Sequence, residues 1–466
     1  MKSNRRNFIK YSSLTGISLA GTGVLNSDLP ILYDIKHTDA EHFNMCGYAS
    51  PKLDTVRIGF IGLGNRGPGA VERMTHIEGV EIKGLCDIRI EKVNAVKKSL
   101  ENSRHHPEIY TGKEEEWKRL CDRKDIDLVY IATPWALHAS MAVYAMNQGK
   151  HVCIEVPAAK TIEECWQLVQ ISERTRKHCI ILENCCYDFF ELLTLNMNRQ
   201  GLLGEIVHGE GAYLHTLLEG NFSKDKYYNM WRLKENFRNG NLYPTHGLGP
   251  VAQALDINRG DKMDYLVAVS GNDFQMSSTA KELAARDGFY KPFAGKNYRG
   301  NMNTTTIRTN KGKTIMLQHD VTSPNVYSRI HKISGTKGSC IKYPLPGRIA
   351  FGHEDWMNEE EYKKLEEQYT PALVKKVGEM AKQVGGHGGM DFLMDWRTID
   401  CLRNGLPVDM DVYDAALWSS IAPLSEWSVA HRSNSITVPD FTSGYWKTNH
   451  PIDISLEKGG DTKVKA

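Results

Sequence analysis

An apolar run, Val56–Ile61, leads directly into Gly62-Leu63-Gly64-Asn65-Arg66-Gly67, and an amphipathic stretch follows at once. A buried strand, a glycine turn and a helix put all three glycines to use. They serve a tight turn, close approach of backbone to a pyrophosphate, and close packing of helix on sheet. The pyrophosphate then rests on the helix N-terminus, where unpaired N–H groups and the dipole favour an anion. Asp87, 20 residues beyond Gly67, ends a second apolar run, placed to accept from the adenine ribose hydroxyls. A carboxylate there repels a 2′-phosphate, so the pattern points to NAD rather than NADP.

The rhythm continues downstream. Apolar runs at 56–61, 80–86, 126–132, 151–155 and 179–182 read as buried parallel strands, with helical patterns at 68–77, 90–101, 138–148 and 162–176 between them. Beyond Tyr187 strand-like segments at 206–216, 265–270, 303–308, 314–321 and 329–334 follow one another with few helices. The fold class expected is α/β: a Rossmann-type doubly wound parallel sheet plus a second α+β domain with a mostly antiparallel sheet. The division expected is 55–187 for NAD binding and 188–445 for substrate, with 446–466 a tail. Segments 358–383, 391–403 and 411–430 read as helices, and the C-terminal ones are candidates to pack back on the first domain.

Residues 1–30 form an export signal: Asn4-Arg5-Arg6-Asn7-Phe8-Ile9-Lys10 resembles a twin-arginine motif, and the stretch after it is too short and polar to span a bilayer. Residues 31–54 read as a linker or arm. This route carries folded proteins, so export to the periplasm or cell surface is compatible with a nucleotide loaded beforehand. With 58 Lys+Arg against 56 Asp+Glu the charge is nearly balanced, which gives nucleic acid no electrostatic footing. No Cys or His grouping has metal spacing, so no metal is expected, and the ten cysteines read as buried thiols. An exposed face on the second sheet would signal a homo-oligomer.

Ligands of open parallel sheets bind outside the strands' carboxyl ends. Trp135 and His138 in Thr133-Pro134-Trp135-Ala136-Leu137-His138, Glu155 and Val156 before Pro157, and Asn184 are therefore placed toward the nicotinamide half of the cofactor, joining Gly62, Gly64, Asn65, Arg66, Gly67 and Asp87. The Trp135–His138 loop and the Glu155-Val156-Pro157 element resemble the glucose-fructose oxidoreductase and inositol dehydrogenase superfamily. Two of that superfamily's usual parts are missing: the Lys of Glu-Lys-Pro is Val156, and the Asp four residues before the second-domain His is Leu242.

Asn241-Leu242-Tyr243-Pro244-Thr245-His246-Gly247, Glu183-Asn184-Cys185-Cys186-Tyr187, Met230-Trp231-Arg232-Leu233, Gly386-His387-Gly388-Gly389-Met390-Asp391 and Pro439-Asp440-Phe441-Thr442 closely resemble glycoside hydrolase family 109. That resemblance implies an NAD-dependent α-N-acetylgalactosaminidase working by oxidation, elimination, water addition and re-reduction, with NAD tightly bound and regenerated each turnover. It implies proton transfer by His246 and Tyr243, assistance from Glu155 with Tyr187 a weaker candidate, and substrate contacts from Tyr213, Arg232, Tyr243 and Tyr327. His387 either lines the cleft or permits a turn. The alternatives are an NAD-dependent sugar dehydrogenase and a non-catalytic NAD-containing sugar-binding protein.

Overall fold

The computed structural model describes residues 42–353 and 355–465, so the twin-arginine segment lies outside the described residues. Six parallel strands, β1 (Val56–Ile61), β2 (Val80–Cys86), β3 (Glu108–Tyr110), β4 (Leu128–Ile131), β5 (His151–Ile154) and β6 (Cys179–Ile181), are ordered β3-β2-β1-β4-β5-β6. Strand order reverses between β1 and β4, and a ligand crevice opens at such a switch point. Strands β4 and β5 are buried along their whole length, which is why they read as continuous apolar runs. Strand β3 is three residues long with two of them exposed, so no apolar run marks it.

The helices of this half are α1 (Gly67–Thr75), α2 (Ile90–Ser99), α3 (Glu116–Cys121), α4 (His138–Asn147) and α5 (Ile162–Thr175). Thr161 caps α5, its side chain accepting from the Glu164 N–H.

The second sheet contains β7 (Ile206–Leu214), β8 (Met263–Ser270), β9 (Asn303–Thr309), β10 (Thr314–Asp320), β11 (Lys332–Gly335), β12 (Ser339–Ile341), β13 (Arg348–Ala350) and β14 (Ile436–Thr437). Their order is β13-β12-β11-β7-β10-β9-β8-β14, and only β7 and β10 pair in parallel. Helix α6 (Thr245–Ala254) lies against β7. A Cβ on Gly247 would stand 2.3 Å from the Ala212 nitrogen, so this approach requires glycine.

Segment 358–383, expected as one helix, is two: Glu359–Tyr369 and Ala372–Val384. Pro371 lacks the N–H to continue the first and holds Thr370 extended. Helices α7 (Met390–Asn404) and α8 (Val412–Ala430) come late in the chain yet pack on α1 and α5. Residues 446–465 run back over the first half, where Val464 bridges to Ile77 and Trp396 Nε1 donates to the Thr462 carbonyl. All ten cysteines are free and nine are buried.

Where α7 meets α1, Arg73 Nε donates to Asp395 Oδ2 at 2.7 Å, while Asp395 Oδ1 has no partner. Burial pushes the Asp395 carboxyl up to about 6 against the pull of Arg73. A carboxyl whose folded pKa exceeds the unfolded value of about 3.9 stabilises most at low pH and loses that contribution as pH rises. We therefore expect the stability difference between wild type and Asp395→Asn, measured by urea unfolding, to fall between pH 4 and about 6 and to level off above. An unchanged difference across that window would contradict it.

Candidate active site

The glycine loop meets the demands of a dinucleotide. Gly62 has φ +93°, and a Cβ there would lie 2.5 Å from the Ala132 carbonyl oxygen. A Cβ on Gly67 would lie 2.0 Å from the Gly62 carbonyl oxygen. At Gly64 the nearest obstacle is only the tip of the Arg89 side chain at 3.4 Å, leaving the backbone open to a phosphate. No side chain caps α1 and no acidic residue stands in its first turn, so its leading N–H groups are free for an anion. Asp87 is 8% exposed, and its Oδ2 accepts from the Leu63 N–H at 2.8 Å, fixing the carboxylate at the end of β2. Asn65 donates to the Lys226 carbonyl, bracing the loop against the second domain. The residues present fit NAD.

Beside this crevice stands an acid–base pair. His246, in the first turn of α6, places Nδ1 2.7 Å from Glu183 Oε1 and 3.0 Å from Oε2. Glu183 is fully buried; burial raises its pKa, but the His246 imidazole outweighs burial and holds it below the usual carboxylate range. An ionised Glu183 fixes the Nδ1–H tautomer, leaving Nε2 to exchange protons. Gly249 makes the contact possible, since a Cβ there would lie 2.8 Å from Glu183 Cγ. Glu183, Cys185 and His246 also bring three metal-ligating atoms within 4.8 Å. The 2.7 Å separation is that of a charge-assisted hydrogen bond, and a proton accounts for it.

Aromatic rings surround the pair. Tyr243 packs 4.8 Å from His246, 4.7 Å from Tyr213 and, stacked, 5.5 Å from Trp135. The Arg232 guanidinium lies 4.9 Å from the Trp135 ring centre and 5.2 Å from that of Tyr243. Tyr327 closes the far side, edge-on to Tyr213 at 6.4 Å. Rings offer the apolar face of a sugar a platform, and a guanidinium offers its oxygens paired donors.

Several expected residues stand differently. Arg66 commits its side chain to two carboxylates: Nε donates to Glu155 at 2.9 Å and Nη1 to Asp391 at 3.1 Å. His138 is buried with its nitrogens 2.8 Å from the Pro157 and Thr133 carbonyls, so it ties two loops together. Val156 is buried. Asn184 donates to Asp391. Tyr187 is buried and donates to Asp409 at 3.0 Å, which removes it from proton transfer in the cleft. Glu183 and Asp391 were not singled out by sequence reasoning. Neither was His215, which packs 5.2 Å from Tyr327 with a buried, unpartnered Nδ1.

Two family models divide the chain: an oxidoreductase family with an NAD-binding Rossmann fold matches residues 56–182, and the glycosyl hydrolase 109 C-terminal domain matches residues 187–448. A glycosyl hydrolase family 109 protein of Bacteroides fragilis is 48% identical over 442 residues, 90% of this chain and 92% of that protein. The chain belongs to glycoside hydrolase family 109. Another relative, an alpha-N-acetylgalactosaminidase of the same species, is 50% identical over 416 residues, covering 87% of this chain and 96% of its own. Levoglucosan dehydrogenase in complex with NADH and levoglucosan shares the fold at 18% identity, with a TM-score of 0.61 over 83% of this chain and all of that one. Apo scyllo-inositol dehydrogenase from Lactobacillus casei does so at 15% and 0.58, over 83% of this chain and 99% of that one.

In this family 109 chain, a glycoside hydrolase with an NAD-binding Rossmann domain, both positions that depart from the dehydrogenase pattern have charged neighbours. Glu183, from the turn after β6, pairs with His246, and the Arg66 guanidinium lies on Glu155, beside Val156. Gly62→Val tests the crevice: the side chain meets Ala132 and a φ that costs about 1–3 kcal/mol. Nucleotide released on denaturing the purified variant is expected to fall below one tenth of wild type, and equal content would contradict the assignment.

Proposed function

We propose that the protein hydrolyses terminal α-linked N-acetylgalactosamine through a redox-assisted elimination, with NAD held throughout. The observation that carries this reading is the Glu183–His246 pair beside Tyr243 at the mouth of a dinucleotide crevice. Ordinary glycosidases use two carboxylates across the scissile bond, and NAD-dependent families are an exception. When bound, NAD supplies hydride acceptance from C3 of the sugar and return of that hydride at the end.

A ketone at C3 acidifies the proton on C2. His246, with Nδ1–H on Glu183, and Tyr243 move the protons of the C3 hydroxyl and C2. Loss of the C2 proton expels the group on C1, and water adds in its place. Glu155, fixed by Arg66, orients the sugar against the cofactor. Tyr213, Tyr243 and Tyr327 line the sugar, and Arg232, which has no carboxylate partner among the described residues, donates to its oxygens. Such positioning concentrates the reacting groups and holds them in line.

Because the cycle restores its cofactor, NAD is retained between turnovers. Export by the twin-arginine route fits this, since the nucleotide travels inside a folded protein. Among the described residues no helix is long and apolar enough to cross a membrane.

The test is incubation of purified protein, without added nucleotide, with p-nitrophenyl α-N-acetylgalactosaminide while phenol and free NADH are recorded together. Many turnovers of phenol without accumulating NADH are expected. NADH formed only with free sugar and added NAD, and no phenol, would instead identify a dehydrogenase. Sugar bound without either product would identify a binding protein.

A further inference from the structure

One short run of the second domain, 223–232, meets the dinucleotide crevice at three separate places. We propose that this run is a strap that completes the NAD site, tied down at the adenosine end by Tyr228 on Arg89 and by the Lys226 carbonyl on Asn65. This rests on the reading that NAD is retained between turnovers.

Apolar side chains anchor the run on both sides. Phe222 before it, and Met230 and Leu233 at its far end, are buried with Tyr290 in a small cluster separate from the main core. Between these anchors Lys224, Asp225, Lys226, Tyr228 and Asn229 are exposed, so burial does not fix their course. Asn229 and Met230 are both left-handed, at φ 53°. That conformation is disfavoured for residues with a Cβ and is normally confined to single positions. Here it lets Met230 enter the cluster while Tyr228, two residues earlier, meets the first domain.

The contacts follow the length of the crevice. In the glycine loop, Asn65 Nδ2 donates to the Lys226 carbonyl at 2.9 Å. Tyr228 presents its ring to the Arg89 guanidinium at 5.0 Å. Arg89 Nη2 comes within 3.4 Å of where a Gly64 Cβ would stand, and its Nε lies 3.3 Å from Asp87 Oδ1. Arg89 therefore spans the glycine loop and the ribose carboxylate, and Tyr228 holds it from outside. At the other end Trp231 packs edge-on to Trp135 at 5.4 Å, and Arg232 lies 4.9 Å from the same ring.

A nucleotide lying between the glycine loop and Trp135 leaves only after this run parts from the first domain. The two ties at the adenosine end are one hydrogen bond and one cation–π contact, each small alone. They sit two residues apart on one segment, so both break before it lifts. A dehydrogenase releases its reduced cofactor in every turnover, and a closed strap would slow that step. A cycle that restores its own cofactor has no such step, so the strap retains NAD without slowing turnover.

Exchange of bound NAD for carbon-13-labelled NAD, followed by mass spectrometry of nucleotide from the repurified protein, reads the strap without reference to activity. Tyr228 is 48% exposed, so its truncation leaves the core intact. Tyr228→Ala is expected to exchange about 3–10-fold faster than wild type, and Tyr228→Phe, which keeps a ring over Arg89, to stay within about twofold. Exchange by the alanine variant at the wild-type rate, or by the phenylalanine variant as fast as alanine, would overturn the assignment. If wild type itself is purified without nucleotide, or exchanges it within one turnover, the retention reading fails and takes the strap with it.

Discussion

Glu183→Gln is expected to lower kcat by about 100–1000-fold, with bound NAD and substrate KM little changed. The amide preserves size and leaves His246 a hydrogen-bond acceptor, but it removes the charge that stabilises the imidazolium formed during turnover. Glu183 makes its contact from a fully buried position, where water does not replace the lost charge. Its folded pKa lies below that of a free carboxyl, so Glu183 carries its charge at neutral pH. A kcat within about threefold of wild type would show that this carboxylate does not tune His246.

The largest stability effect is expected at Arg259. Its guanidinium is buried between the two carboxylates that cap α8, donating to Asp414 at 2.6 and 2.8 Å and to Asp411 at 3.0 Å. Asp411 and Asp414 form the capping box of that helix, so the ion pairs and the helix start depend on one another. Arg259→Met leaves two buried carboxylates unpaired, and breaking a buried pair from one side costs about 3–5 kcal/mol. Burial and Asp414 already push the Asp411 carboxyl up to about 6 against the pull of Arg259. Without the guanidinium it rises further, so the deficit should shrink as pH falls and the acid becomes neutral. Urea unfolding at pH 5 and 8 reads both effects, and a loss below about 1 kcal/mol would show the site relaxing without its cation.

The nucleotide-binding half was legible because its constraints are local. Gly62 and Gly67 act within one strand, turn and helix, and Asp87 ends the very next strand, so their order in the chain is their order in space. The proton-transfer pair was half legible. His246 stood out beside Tyr243, but its carboxylate comes from Glu183, 63 residues earlier, and no period or spacing joins the two. Gly249, a glycine inside α6 three residues past His246, was the available sign that another side chain approaches there.

Arg66 was read through its place in the glycine loop. Its side chain is governed instead by Glu155, just past β5, and by Asp391, which reaches it only after α7 packs on α1. His387 shows the same limit: its glycines announce an unusual backbone, and only the folded chain shows which carboxylate the imidazole meets.

The central claim is that the glycosidic bond breaks by elimination after oxidation at C3, and hydrolysis in deuterium oxide tests it most directly. Wild-type protein converts an α-N-acetylgalactosaminide in that solvent, and the released sugar is examined by proton NMR and mass spectrometry. The account predicts one deuterium at C2, because that position loses its proton and regains one from solvent in every turnover. A released sugar that keeps its C2 proton would mean direct displacement at C1 and would contradict the account.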